Sequence, residues 1–380
     1  VAVTKPIKIT IIGGGNAGCL TALHFGYHSR NNKNIFVELI HDPDTPPEKV
    51  GQATLLEPPK LLWKALGIDW YNNPIDATPK LGILYENWGK KQEKVFHPFP
   101  LNASALHYTP SKLQKTILKS GYFSVQEQNI NNYKQIDSDY IFDCRGKPDN
   151  LDNYKKLENP VNAVVLAQDS KRDSKANWTR AVATPDGWCF VIPNTLNTNS
   201  YGYLYNHQIT SDKAAKENFE KLFEVKSTDQ FKFKQYVAKN PIIDDRIILN
   251  GNRLFFLEPL EATAIASYLH WLRMVWDWII EGTVTSTQIT DKFHKYVTQV
   301  NNFITWHYMY GSKYDTPFWK ATENLSFKDP LFDKTLLRAN KFSMVDLQSI
   351  ESEAEHYGLW NDWSFKYWYD GMTKEENGSK

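Results

Sequence analysis

Three groups of residues in this chain have types and spacing that suit chemistry. The first is Gly13-Gly14-Gly15-Asn16-Ala17-Gly18, which follows the β-branched run 8–12 (KITII) and opens a segment, Asn16–Ser29, that reads as a helix. Strand, G-x-G-x-x-G and helix in that order is the setting of a dinucleotide fingerprint. Gly13 permits the tight turn, Gly15 lets a pyrophosphate approach the backbone, and Gly18 packs helix on strand, with Asn16 and Ala17 in the same cofactor-facing turn. The second group is residues 257–267, LEPLEATAIAS, where Pro259 suits the first position of a helix running to about Gly282. The amides of that first turn, around Glu261, Ala262, Thr263 and Ala264, then lack intrahelical partners and attract an anion. An ordinary helix start, with Glu261 simply suiting the macrodipole, also accounts for this stretch taken alone. The third group is His24 and His28, four apart on the first helix. Without an intervening Glu or a third ligand they read as surface residues, and no metal site is expected.

The elements that must hold these groups follow in order. A second strand at 35–40 ends at His41, where a dinucleotide binder usually places an acid on the ribose; Glu38 and Asp42 flank it. Gly51-Gln52-Ala53-Thr54 precedes a helix near 55–66, a strand-like run covers 81–88, and His97-Pro98-Phe99 leads to a helix at about 111–119. Residues 140–146 (YIFDCRG) read as a buried strand with a glycine turn. Residues 178–208 alternate as antiparallel strands, and 213–225 form an amphipathic surface helix. From 282 onward the chain is helical and aromatic, with a tail, 373–380, that is disordered by composition. The fold class expected from these elements is α/β: a Rossmann-like nucleotide-binding sheet with added antiparallel strands at about 178–208, followed by a mostly helical region at 282–380.

Bulk properties narrow the function classes. With 44 basic and 43 acidic residues in 380, the net charge of +1 argues against nucleic acid or an anionic membrane as partner. No run approaches the ~18 apolar residues of a membrane helix, and the start VAVTKPIKIT has no signal-peptide core. Cys19, Cys144 and Cys189 are odd in number and far apart, which fits a reducing cytoplasm. The aromatic fraction of 14% suits a large core or a pocket for flat ligands.

Local patterns together resemble the flavin-dependent halogenases of the tryptophan-halogenase type. They are GGGNAG at 13–18, VGQAT at 50–54, DATPKLGILYENW at 76–88 with HPF at 97–99, FDCRG at 142–146, WCFVIP at 188–193, GNRLFFLEPLEATAI at 251–265 and HYMYGSKYDTPFW at 307–319. The resemblance covers most of the chain in the family's order, and it implies an FAD-binding Rossmann-like domain of the GR2/PHBH type over 1–281 with a substrate-side sheet at about 178–208, and a mostly helical substrate-covering domain over 282–380. It implies that reduced FAD, delivered by a separate flavin reductase, reacts with oxygen to a C4a-hydroperoxide. A halide (Cl, Br or I) attacks this species, and the hypohalous acid passes through a tunnel to a lysine that presents it to a small aromatic substrate of indole or phenol type. Lys80 matches the catalytic lysine and Glu261 the catalytic glutamate, although a lysine taken singly belongs on the surface. The cofactor positions implied are Gly13, Gly15, Asn16, Ala17, Gly18, His41, Gln52, Ala53, Asn252 and Leu257, and the halide positions Thr263 and Ala264. His97, Pro98, Phe99, Phe318 and Trp319 match the substrate side. Trp188, Phe190, Ile192 and Pro193 match the WxWxIP motif, with Phe190 in place of its second tryptophan.

Further departures are His41 at the ribose acid, Gln52 for a carboxylate, Asn252 for the aspartate of a GD pair, and Ala262 and Ala264 where Ser and Gly are usual. They imply looser FAD binding and an altered anion site, while the short segment between His97 and Cys144 and the short C-terminal domain imply an open substrate pocket. The single Gly-rich loop leaves the chain dependent on a reductase in trans. A flavin monooxygenase that hydroxylates its substrate, and a flavin-binding descendant without turnover, are the alternatives. A homo-oligomer stays open.

Overall fold

The first strand, Ile7–Ile12, is the axis of a six-stranded sheet, and its β-branched side chains are buried over its second half. It lies between Ile35–His41 and Tyr140–Asp143, both parallel to it, in registers that set Ile12 opposite Ile40 and Asp143. Ser124–Glu127 forms one edge, and the Ile242–Ile243/Ile247–Leu249 hairpin forms the other. The Asn16–Ser29 helix is buried around most of its circumference, as its small and apolar residues allow. In this computed structural model the described residues are 5–47, 52–56, 58–99, 105–169, 176–194, 198–341 and 357–373. Val50 and Gly51 of VGQAT and the tail beyond 373 therefore lie outside the described residues.

The chain forms two compact units, each built from discontinuous segments: Val1–Pro79, Asn102–Leu157 and Lys234–His294 in the first, Lys80–Leu101, Glu158–Phe233 and Lys295–Lys380 in the second. A single boundary at 281 does not describe them, because strands from 82–98 join the later sheet. That sheet has seven strands, in the order Asp229–Lys232, Ala163–Asp169, Asn199–Tyr205, Gly187–Pro193, Thr179–Thr184, Gly82–Glu86 and Lys94–Pro98. It is larger than the 178–208 sheet expected, and its one parallel pair joins Thr179–Thr184 to Gly82–Glu86. The strands Gly187–Pro193 and Asn199–Tyr205 are buried throughout. One core cluster packs Val165, Tyr201, Tyr203 and Tyr205 with Ala215 and Phe219 of the Asp212–Phe223 helix. Aromatic residues of the helices Ser286–Met309, Pro317–Thr322 and Asp362–Thr373 pack among Tyr85, Trp88 and Trp188. No helix among the described residues is long and apolar enough to cross a membrane.

Two expectations are corrected. The helix predicted from Pro259 to about Gly282 is Thr263–Ile279, preceded by a 3-10 turn, Leu260–Ala262. Glu261 (φ 70°) and Ala262 (φ 53°) are left-handed, and the Ala262 amide is already bonded to the Pro259 carbonyl at 2.9 Å. Proline fixed the turn but not the helix. His24 is not a surface residue: it is 6% exposed, with its ring against Trp276 and His28. Burial, with Arg273 and His28 adding positive charge nearby, pushes it down to about 3.

Candidate functional site

In the first unit, the glycine loop is shaped by what a side chain would strike. A Cβ on Gly18 would lie 1.7 Å from the Gly13 carbonyl oxygen, and one on Gly13, itself at φ +108°, would lie 2.7 Å from the Cys144 oxygen. Gly15 is the opposite case, with nothing within 4 Å of its added Cβ. Space is therefore open at the N-terminus of the Asn16–Ser29 helix, where no side chain caps the first turn. The Gly14 carbonyl is occupied, accepting from Gln114 Nε2 at 2.6 Å. His41 is buried and sits against Gly14, so an imidazole occupies the ribose-acid position beside the loop.

The same unit holds the other expected cofactor and anion positions. Gln52 and Ala53 pair antiparallel with Tyr108 and His107. Asn252 uses its side-chain oxygen to accept from Tyr268 Oη at 3.0 Å and its backbone oxygen to accept from Tyr236 Oη at 2.8 Å. Leu257 is buried. Glu261 is 4% exposed, and Thr263 and Ala264 start the Thr263–Ile279 helix. Its N-cap is Ala262, which has no side-chain oxygen to spend on those amides. The left-handed pair before the helix thus leaves the amides without a side-chain cap, with a buried carboxylate in the same turn. Such a site suits an anion bound by neutral donors.

In the second unit, Lys80 is 1% exposed, so burial overrides the residue's usual surface preference. Its ammonium lies 5.2 Å from the centre of the Phe99 ring. His97 is buried beside it, with its ring stacked on Tyr367 at 5.6 Å. Burial pushes His97 down to about 3, with His307 and Lys80 adding to the effect. A neutral imidazole next to a buried lysine keeps positive charge from accumulating there. Pro98 is half-buried at the end of the same strand.

Phe318 and Trp319 lie in an aromatic cluster with Tyr308 and Trp88, and the Trp319 indole donates to the Thr184 carbonyl at 2.7 Å. Trp188 is buried 6.5 Å from Trp88 and 6.3 Å from Phe190, with Ile192 and Pro193 continuing its strand. The first unit therefore holds the residues expected at the dinucleotide and the anion, and the second holds the lysine and the aromatic ones.

Sequence reasoning passed over several residues. His307 is fully buried, bonded to the Phe303 carbonyl at 2.7 Å and packed on Trp368 at 3.9 Å; its signal was the HY of the 307–319 motif. Glu258 is completely buried in the first unit, three residues before Glu261. Asp143, Arg145 and Arg253 stood inside two quoted motifs, yet their shared contacts are visible only in three dimensions.

A family model described as tryptophan halogenase matches residues 8–133 and 124–374. The chain is 21% identical to the tryptophan 6-halogenase ThaL of Streptomyces albogriseolus, over 96% of this chain and 87% of that protein. It is also 21% identical to the tryptophan 7-halogenase RebH of Lentzea aerocolonigenes, over 95% and 87%. Among solved structures, BrvH, a flavin-dependent halogenase from Brevundimonas sp. BAL3, superposes with a TM-score of 0.78 at 18% identity, covering 98% of this chain and 91% of that one.

Proposed function

The chain belongs to the tryptophan halogenase family of enzymes, and from that premise we propose that it is a two-component, FADH2-dependent halogenase of small electron-rich aromatics. The glycine loop fits a flavin dinucleotide, because the space at Gly15 is open where a diphosphate approaches and the helix behind it is uncapped. Gly13, Gly15, Asn16, Ala17 and Gly18, with His41, Gln52, Ala53, Asn252 and Leu257, are assigned to hold it. When bound, reduced FAD from a separate reductase supplies, with oxygen and halide, the oxidising power that makes hypohalous acid. The chain's own residues do the rest. The Thr263 and Ala264 amides hold the halide through neutral donors, which bind it without the strong grip of a cationic side chain.

Lys80 receives the hypohalous acid, either by hydrogen-bonding its oxygen or by taking the halogen on its amine. The ring then forms the carbon–halogen bond as the oxygen–halogen bond breaks; the Lys80 ammonium protonates the departing hydroxide to water, and Glu261 takes the proton displaced from the ring carbon, which restores that of Lys80 through solvent. His97, Pro98, Phe99, Phe318 and Trp319 are assigned to the substrate side as apolar, aromatic surface for an indole or phenol. Regiochemistry follows from how that surface orients the ring.

The observation that carries this reading is the burial of Lys80. A lysine at 1% exposure is costly to keep in a core, and the family's chemistry gives it a use. The test is a reconstituted reaction with reductase, FAD, NADH and bromide over a panel of indoles and phenols, read by mass spectrometry. Bromide-dependent monobromination is expected, and Lys80→Ala should abolish it while flavin oxidation continues. Normal product from Lys80→Ala removes the lysine from the mechanism. Oxygenated product formed without halide makes the enzyme a hydroxylase instead.

A further inference from the structure

At the carboxyl end of the parallel sheet, beside the glycine loop, two guanidiniums share one buried carboxylate. Asp143 is fully buried at the end of its strand, opposite Ile12, the last residue before the loop glycines. Burial alone would raise its carboxyl, but hydrogen bonds from Arg145 and Tyr133 and the charge of Arg253 outweigh it and hold it below the usual range. Two cations and one anion leave this group with a net positive charge.

The two arginines are used differently. Arg145 spends its fork: Nε and Nη2 donate to Asp143 at 2.9 and 2.8 Å, and Nη1 donates to the Ile130 carbonyl at 2.7 Å. Arg253, its side chain only 14% exposed, makes a single ion-pair contact, 3.4 Å from Asp143 Oδ2, and its Nε is buried without a hydrogen-bond partner. Among the described residues, its guanidinium donates no hydrogen bond. Unspent donors on a largely buried cation are costly unless an anion completes them.

The backbone that carries Arg253 is rigidly placed. Gly251 seats so closely on the first turn of the Asn16–Ser29 helix that an added Cβ would lie 2.5 Å from that of Ala17. Asn250 Nδ2 donates to Thr21 Oγ1 at 2.9 Å. Tyr154 Oη holds the Arg253 carbonyl at 2.7 Å, and Tyr236 Oη holds that of Asn252 at 2.8 Å. Asparagine rather than a carboxylate at 252 adds no negative charge to offset the guanidinium. Ligands of open α/β sheets bind at this edge.

We propose that Arg253 is an anion-binding residue of the nucleotide site, taking the diphosphate of the flavin dinucleotide while Asp143 steadies it. This rests on the flavin reading above. The experiment titrates oxidised FAD and riboflavin, which shares the ring but lacks phosphate, into wild type, Arg253→Gln and Arg253→Lys at low and high salt, with thermal unfolding as the folding control. Loss of a charge-assisted bond should weaken FAD binding by roughly 10- to 100-fold in Arg253→Gln and flatten its salt dependence. Riboflavin affinity should not change, and Arg253→Lys should fall between. Unchanged FAD affinity, or an equal loss for riboflavin, overturns the assignment. If Arg253→Gln does not fold, Arg253→Lys decides: it must weaken FAD selectively. A wild type that binds no flavin overturns this inference together with the reading it rests on, whereas a flavin-binding wild type with indifferent variants overturns this one alone.

Discussion

Two alanine substitutions in the same glycine loop, at Gly15 and Gly18, should separate folding from ligand binding. Gly15 has φ −71° and ψ −175°, extended backbone that alanine adopts freely, and its Cβ would meet nothing within 4 Å. Replacing it by Ala restricts the unfolded chain, which favours the fold by about 0.4–1 kcal/mol. Alanine is a poorer N-cap than glycine, which costs roughly 0.5–1 kcal/mol in the other direction. The two effects offset, so Gly15→Ala should unfold within about 1 kcal/mol of wild type. The new methyl nevertheless occupies the space assigned to the diphosphate. Overpacking of about 1–3 kcal/mol against the ligand translates to FAD binding weakened by roughly 10- to 100-fold. Gly18→Ala differs, because its Cβ would lie 1.7 Å from a backbone oxygen and the turn itself must move. That variant should lose both stability and FAD binding. Chemical denaturation and FAD fluorescence titration on all three proteins make the comparison. A Gly15→Ala protein that is as stable as wild type and binds FAD equally well refutes the placement of the cofactor at Gly15.

Two other outcomes follow from buried side chains and strained backbone. His24 and His97 are both pushed down to about 3 by burial, so the folded state keeps them neutral while the unfolded chain protonates them near 6.5. Their stabilisation is fully present above that value and is lost as pH falls from 6.5 toward 3. By pH 5 about 2 kcal/mol has been lost for each histidine. His24→Leu should flatten the acid limb in urea melts between pH 7 and 5, and an unchanged limb would contradict the burial argument. Ala262 is held left-handed at φ 53°, so Ala262→Gly should relieve strain and raise the unfolding free energy by up to about 1 kcal/mol; a lower unfolding free energy in urea melts would mean that the turn is not strained.

The local signals of the chain are legible in its sequence. The glycine loop, the Asn16–Ser29 helix and the strands around it depend on near neighbours: β-branched runs, small residues and turn glycines. The limits of the 111–119 and 213–225 helices moved by only a residue or two, to Pro110–Leu118 and Asp212–Phe223. The 259–263 turn misled because Pro259 is as much at home in a 3-10 turn as at a helix start. What set the left-handed conformations at Glu261 and Ala262 is not visible in their own residue types.

The sequence by itself determined an α/β chain with a Rossmann-like core, the order of its motifs and the family to which it belongs. Only the tertiary structure decided that Lys80 is buried beside His97 and Phe99, that His24 lies inside, and that Arg253 leans on a carboxylate already held by Arg145. The same holds for the seven-stranded sheet, whose parallel pair joins Thr179 to Ile83 across nearly a hundred residues of chain. The reason is physical. Period, turns and caps are set by residues within a few positions of each other, whereas burial, charge sharing and strand pairing depend on partners brought together by the whole fold.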